Sequence, residues 1–334
     1  MFAARPAPLR LLLVIGTLGA ALVGAWLFAA TVGVEHVDWS AVLTPDSPER
    51  AIVLRARLSR ALLGSAVGAA LGAAGVAFQT LVRNPLADPY VLGVSSGASV
   101  GAAAAIALGF GPGAPLGLFA FGGSLGAMAL VYRLGLVRGR LVPTVALLAG
   151  VVLNAMSWAL ILTIATLARM GTTAEILVWL MGSLAPPEWS RLILAAAAVG
   201  LGVVVLSAMA PRLNALVLGD EGAHSVGIDV ARTRTLLLLA ASFLTAAAVA
   251  VAGPIGFVGI IVPHVLRLVV GTDHRILLPA SALGGALFLC LCDTLTRLAF
   301  LPLGAEPPVS VLTAILGGPF FLVLLWKRRG ERLF

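Results

Sequence analysis

Residues 89 to 132 are 44 consecutive positions without an Asp, Glu, Lys or Arg. As a helix this stretch would measure ~66 Å at 1.5 Å per residue, about two crossings of a hydrocarbon layer ~30 Å thick. Uncharged runs recur along all 334 residues, of which 11% are charged and 60% hydrophobic. Soluble proteins carry roughly 25% charged residues. So few charges cannot cover a water-soluble surface of this size, which excludes a soluble enzyme. The apolar content equally excludes an intrinsically disordered chain. The 38 glycines, together with Ala-rich runs, suit helices that approach closely in lipid. The chain is therefore expected to be an all-α polytopic membrane protein.

Ten spans are read from the runs: 11–32, 61–82, 91–109, 115–132, 141–168, 192–210, 235–252, 257–270, 276–300 and 308–326. A signal peptide is the alternative for the first, but the run is long for one and no clear cleavage site follows. Gly109 to Pro115 turns the chain between the third and fourth spans, and Gly253 to Gly256 interrupts the seventh and eighth. Residues 176–187 are apolar, too short to cross and end in Pro186-Pro187, which predicts an interfacial helix. The segments that would face the cytoplasm with the N-terminus inside hold 15 of the 22 basic residues, Arg5, Arg329 and Arg332 among them. Positive residues favour the inside, so the predicted topology is N-in and C-in. The longest hydrophilic stretches are 33–60, outside, and the loop 211–234, inside.

Several chemistries are missing. A P-loop needs a Lys after its glycines, and Lys327, near the C-terminus, is the one lysine present. Histidines 36, 224, 264 and 274 are scattered, and Cys290 and Cys292 lie in an apolar run without further ligands nearby, so neither a metal site nor a catalytic residue is expected. Asp293 is the ionisable residue well inside a span, with His264 and Arg267 near the end of another. Ion-coupled transporters working alone usually carry more such groups near the midplane. That scarcity places the energy source on another subunit and counts against a stand-alone secondary transporter.

Two hydrophilic pieces invite closer reading. Gly64, Gly68 and Gly72 recur at every fourth position with Gly75 nearby, marking the second span as a helix buried among others. It leads into RNPLADP (Arg83 to Pro89) and LGVSSGAS (Leu92 to Ser99), where two prolines forbid a continuous helix. In the loop 211–234, Ala223, Val226, Gly227 and Val230 fall at i, i+3, i+4 and i+7, predicting a short amphipathic helix. It would either dock a partner or rest on the membrane surface.

R-x-x-R at Arg57 and Arg60, Q-x-x-x-R-N-P-L-A-D-P from Gln79, L-G-V-S-S-G-A, L-G-D-E-G-A-H-S-V-G-I from Leu218, G-P-I-G-F-V-G-I-I-V-P-H-x-x-R from Gly253 with T-D-H-R after it, and E-x-P-V-S-V-L-T-A-I-L-G-G-P-F-F from Glu306 follow in order. Over roughly residues 9 to 329 the chain resembles the FecCD-type permeases of ABC importers for iron-siderophores, haem and vitamin B12. The resemblance implies a type II ABC importer permease of ten spans in a bacterial inner membrane. A second identical permease would pair with it in the lipid. Two cytoplasmic ATPases would hold ATP and Mg, so that this chain binds no cofactor and is no enzyme. A periplasmic or lipid-anchored substrate-binding protein would dock outside, and nucleic acid would have no part. It further implies that Leu218, Gly219, Asp220, Glu221 and Ala223, with His224, Val226, Gly227 and Ile228, form the coupling element for the ATPase. Arg57, Arg60 and Arg297 would dock the binding protein. Asn84 and Leu86 with Pro143 and Thr144 would narrow the cytoplasmic gate, although Pro143 departs from the small polar residue of some relatives. Asn154, Met156 and Ser157 would line the pathway. An iron chelate is the favoured cargo, with cobalamin the alternative.

Overall fold

A computed structural model describes residues 8–33, 35, 37–111, 113–300 and 306–328. Arg5, His36, Arg329 and Arg332 lie outside the described residues. The chain is a helical bundle. Helix α1 (Pro8–Thr31) is followed by two single turns, α2 (Trp39–Val42) and α3 (Pro48–Ala51). A π-helical segment (Ile52–Leu58) then runs without a break into α4 (Ser59–Val82). The helix of the second predicted span, read from residue 61, thus starts at Pro48, inside the hydrophilic stretch. Ser47 caps the new helix by accepting from the Arg50 amide, and Pro48 takes its first turn.

A 3₁₀ turn (Pro89–Leu92) separates α4 from α5 (Val94–Ala107), and α6 (Ala114–Gly135) follows. A two-residue ribbon, β1 (Leu136–Val137) and β2 (Arg140–Leu141), pairs Leu136 with Leu141 and turns through Arg138 and Gly139, both at positive φ. The all-α expectation missed this ribbon, whose Arg-Gly turn is a weak form of the usual hairpin signal. Next come α7 (Pro143–Leu167), α8 (Met170–Leu180), α9 (Trp189–Ala208), α10 (Ala210–Leu216), α11 (Asp220–Ser225), α12 (Val230–Ala252), α13 (Val258–Val270), α14 (His274–Phe300) and α15 (Val309–Arg328). Among the described residues seven helices are long and apolar enough to cross a membrane: α1, the continuous helix ending in α4, α6, α7, α9, α12 and α14. Three shorter apolar helices, α5, α13 and α15, occupy the remaining predicted spans.

Two expectations need correction. The helix predicted at 176–187 is α8, which stops at Leu180; Gly182 adopts φ +71 and the following residues to 188 are not helical. A side chain at Gly182 would meet the Pro254 carbonyl at 2.2 Å, and Ser183 N donates to Ala252 O, so this segment is tied to the Gly253 turn. The loop 211–234 is not one amphipathic helix across 223–230. Gly219 at φ +94 and Gly227 at φ +79 cut it into α10, α11 and the first turn of α12. Left-handed backbone at these glycines ends each helix.

The position of α4 sets the architecture. Nearly all of it is buried, packed by α14, α12, α9 and α13. A Cβ on Gly68 would stand 2.1 Å from the Gly285 carbonyl oxygen of α14, and one on Gly75 would stand 2.1 Å from that of Gly259 on α13. The glycine face read from the sequence is therefore where backbones touch, and packing rather than hydrophobic transfer holds helices together in lipid. The outer helices turn the opposite way: Leu12, Leu13 and Leu27 of α1, and Ile193 and Leu194 of α9, are exposed. Cys290 and Cys292 are buried in α14.

Candidate functional site

Twenty-four residues of α4 rise ~36 Å, and an arginine stands near each end. At one end lies Arg60. Its guanidinium grips Asp293 of α14 with Nε at 3.0 Å and Nη2 at 2.9 Å from Oδ1. Arg297, one turn along α14, brings Nε to 3.2 Å from the other carboxylate oxygen of Asp293. Asp293 is 1% exposed and Arg297 4%. A buried carboxylate is tolerated when two cations bracket it. Arg60 also donates from Nη1 to Glu306 Oε2 at 2.8 Å, and Glu306 is exposed.

Arg57 lies at the end of the π-helical segment, one turn before Arg60, and its side chain reaches back to the end of α1. It donates to the carbonyls of Ala30 at 3.0 Å, Thr31 and Glu35. Arg297 Nη1 donates to the Val32 carbonyl at 2.9 Å. Two arginines thus satisfy carbonyls that the end of α1 leaves open. A sequence cannot show this partner choice. The three arginines line one recess of about 390 Å³ with Glu35, Ile52, Pro186 and Glu306. Asp293, flagged in the sequence as an isolated charge, is what holds two of the three together.

At the other end Arg83 terminates α4 in a left-handed conformation, φ 54. It pairs with Asp220, the first residue of α11, and Arg234 of α12 reaches the same Asp220 oxygen at 2.8 Å. Partial burial pushes the Asp220 carboxyl up, but Arg234 and Arg83 outweigh it and hold it below the usual carboxylate range. Here Asp220 and Arg83 are both about half exposed. Around them α11 forms a knob. Ala223 is fully buried and points inward, while Leu218 (66%) and Val226 (42%) are exposed. Gly219 is half-buried, Ile228 likewise, and Glu221, His224 and Gly227 are exposed. The predicted coupling residues thus form one projecting element with uncovered apolar side chains.

Between the ends, polar groups tie turns to helices. Gln79 donates to Gly259 O at 3.1 Å and accepts from Arg267 at 2.8 Å. Asn84 Oδ1 accepts from the Leu86 amide at 3.0 Å and closes the turn after α4. Asp88 caps the 3₁₀ turn through the Tyr90 amide. Burial pushes its carboxyl up to about 6, against the pull of the Tyr90 and Phe257 amides. The Ile255 amide donates to Tyr90 Oη at 2.6 Å, and Asn154 of α7 donates to Tyr90 O at 3.1 Å.

The profile of the FecCD transport family matches residues 14–327, all but the ends of the chain. The chain belongs to the FecCD transport family. It is 44% identical over 302 residues to the cobalamin import system permease protein of Halobacterium salinarum, covering 89% of this chain and 80% of that one. It is 41% identical over 287 residues to the hemin transport system permease protein of Yersinia pestis, covering 84% and 85%. A solved structure of a metal-chelate type ABC transporter in an inward-facing conformation superposes with a TM-score of 0.83 at 31% identity, covering 94% of this chain and 98% of that one. This FecCD chain is a multi-pass permease of the ABC importer type.

A cavity of about 370 Å³ runs beside α7 of this FecCD permease, lined by Tyr90, Ser95, Ser99, Asn154, Trp158 and Pro254 among others. Asn154 Oδ1 is buried with no hydrogen-bond partner among the described residues, while its Nδ2 is held by Tyr90. Of the three predicted pathway residues, Asn154 reaches this cavity. Met156 is exposed on another face of α7, and Ser157 is buried. Trp158 and the hydroxyls of α5 line the same cavity; SSGAS stood out in the sequence as a small polar entry. Pro143 takes the first turn of α7 after the ribbon, and Thr144 beside it is exposed. Among the described residues no hydrogen bond joins this pair to Asn84 and Leu86.

Proposed function

We propose that this chain is the membrane-spanning subunit of a binding-protein-dependent importer that carries a metal chelate inward, with ATP hydrolysed on a separate subunit. The observation that carries the reading is the contrast between the two ends of α4: an arginine-lined recess at one, a projecting knob with uncovered apolar side chains at the other. Seven long helices with α5, α13 and α15 make ten crossings, both termini lie in the cytoplasm, and two copies pair around the path in a bacterial inner membrane. The Arg60 end faces outward and receives an acidic surface of a substrate-binding protein. Arg57 and Arg297 set the shape of the recess from below, because their own hydrogen bonds go to α1, and Arg60 presents the accessible charge.

The knob, Leu218 to Ile228, sits in the ATPase. ATP-driven closure of two ATPases moves α11, and the Arg83–Asp220–Arg234 contact passes that motion to the turn at Asn84 and Leu86 and to α12. Small apolar Gly, Ala and Val surfaces give a bulky cargo a wide and weakly binding path, with Asn154 and Trp158 at its polar margin. The cargo is an iron chelate, a ferric siderophore or haem, in keeping with the hemin permease and the metal-chelate transporter among its relatives. The second reading is cobalamin, favoured by the 44% identity to a cobalamin permease. Reconstitution in liposomes with its ATPase and binding protein tests both. Uptake of labelled haem, ferric siderophore or cobalamin is expected only with ATP and binding protein, and uptake without ATP overturns the mechanism. Titrating the binding protein with the three chelates separates the cargo readings.

A further inference from the structure

The N–H groups at the Arg60 end are not equally committed. Arg57 spends its Nη groups on the carbonyls of Ala30, Thr31 and Glu35, and Arg297 divides its own among the Val32 carbonyl, the Thr294 hydroxyl and Asp293; both side chains are buried. Arg60 Nε and Nη2 are fixed on the buried Asp293. Arg60 Nη1 faces the recess, and its partner is of another kind. Glu306 reaches it from the non-helical residues just before α15, 37% exposed, against 1% for Asp293. A carboxylate held by one exposed contact is weakly bound, because surface ion pairs gain little against solvent and side-chain entropy.

From this we infer that Glu306 is an internal stand-in for a partner's carboxylate: in the undocked permease it occupies Arg60 Nη1, and an Asp or Glu of the docking protein displaces it. The inference rests on the reading that an acidic protein docks at this recess. An incoming carboxylate meets the Glu306 charge beside Arg60 Nη1, and like charges brought together at an interface oppose association. Glu306 therefore raises the threshold for docking at Arg60 and releases the entry to α15 when displaced. Asp293 cannot serve this way, because leaving would strand the buried Arg297 and the inner face of the part-buried Arg60.

The test uses the full permease in lipid nanodiscs and its cognate substrate-binding protein, with affinity and association rate measured at low and high salt. Glu306→Gln keeps the shape and a hydrogen-bond acceptor but removes the charge. It is expected to bind the partner roughly two- to fivefold tighter, as loss of a surface pair worth ~0.2–1 kcal/mol allows, mainly through faster association and less so at high salt. Glu306→Asp, which keeps the charge, should bind closer to the parent. Arg60→Lys, which keeps a charge for Asp293 but loses the fork, should bind more weakly; thermal unfolding confirms that each variant is folded. If Arg60→Lys weakens docking while Glu306→Gln leaves it unchanged or weaker, the stand-in role is wrong and the docking surface stands. If Arg60→Lys and salt both leave docking unchanged, the docking surface itself is wrong and the stand-in role falls with it.

Discussion

The two ends of α4 carry the same set of charges in two environments. At one, Asp293 lies between Arg60 and Arg297; at the other, Asp220 lies between Arg83 and Arg234. The first carboxylate is 1% exposed and the second 48%. Burial strengthens the mutual attraction of Asp293 and its arginines and makes separation of any one of them costly. Solvent around Asp220 weakens its pairs and lets them break and re-form. Identical chemistry thus gives a fixed post at one end and a movable joint at the other. The post holds α1, α4 and α14 in register, and the joint connects the knob to the turn after α4.

The largest expected effect breaks this comparison if it fails to appear. Asp293→Ala should destabilise the protein by about 3–5 kcal/mol, since it leaves Arg60 and Arg297 without their shared anion. Asp220→Ala should cost no more than about 1 kcal/mol. Thermal unfolding in detergent measures both, and equal losses would show that burial does not separate the two sites. Function should rank them in the other direction. In reconstituted complexes Asp220→Ala should lower ATP-driven uptake by roughly twofold to thirtyfold, the range expected when one coupling contact is removed. ATPase binding should remain, because the uncovered Leu218 and Val226 stay in place. Val226→Asp should do more, and normal uptake by that variant would remove the knob from the mechanism.

Asp88 sharpens the comparison from a third side, because it is drawn into the protein without a paired arginine in its own turn. Its carboxyl sits at about 6, above the ordinary value of 3.8. A raised carboxyl binds its proton more tightly in the folded state, so stability gained at low pH is lost as pH rises through about 6. Moving from pH 7 to pH 5 should stabilise the protein by roughly 1 kcal/mol through this group, and Asp88→Asn should flatten that part of the profile. The smallest effect is that of salt. Raising ionic strength to about 1 M shortens the screening length to ~3 Å. That should weaken the contribution of Asp220, read as the difference between parent and Asp220→Ala, by a few tenths of a kcal/mol, while the Asp293 difference stays constant.

How much of this was legible in the sequence varies by element. The helices match the uncharged runs closely because lipid leaves the backbone little choice: a run of ~20 apolar residues must satisfy its own hydrogen bonds. The glycine face of α4 was readable for the same reason, since the spacing of four that marks it also brings backbones together. The loop 211–234 was readable as a hydrophilic segment holding a short helix but not in shape. Its apolar spacing fits one helix, and two glycines at positive φ break it. The recess was legible as three arginines on the predicted outer side, where arginine would be unusual, but not as a recess. Arg57, Arg60, Asp293 and Glu306 lie far apart in the sequence, Arg60 and Glu306 by 246 positions, and no periodicity links them.

The sequence by itself therefore determined that this chain is a helical membrane protein, where its apolar helices lie, and through its ordered motifs the FecCD family. Tertiary structure decided which charges are fixed and which are free. Partner choice and burial are properties of several helices at once, and the same arginine on a helix end becomes a structural cap at Arg57, a buried counter-ion at Arg297 or an accessible charge at Arg60 according to what the neighbouring helices bring within ~3 Å.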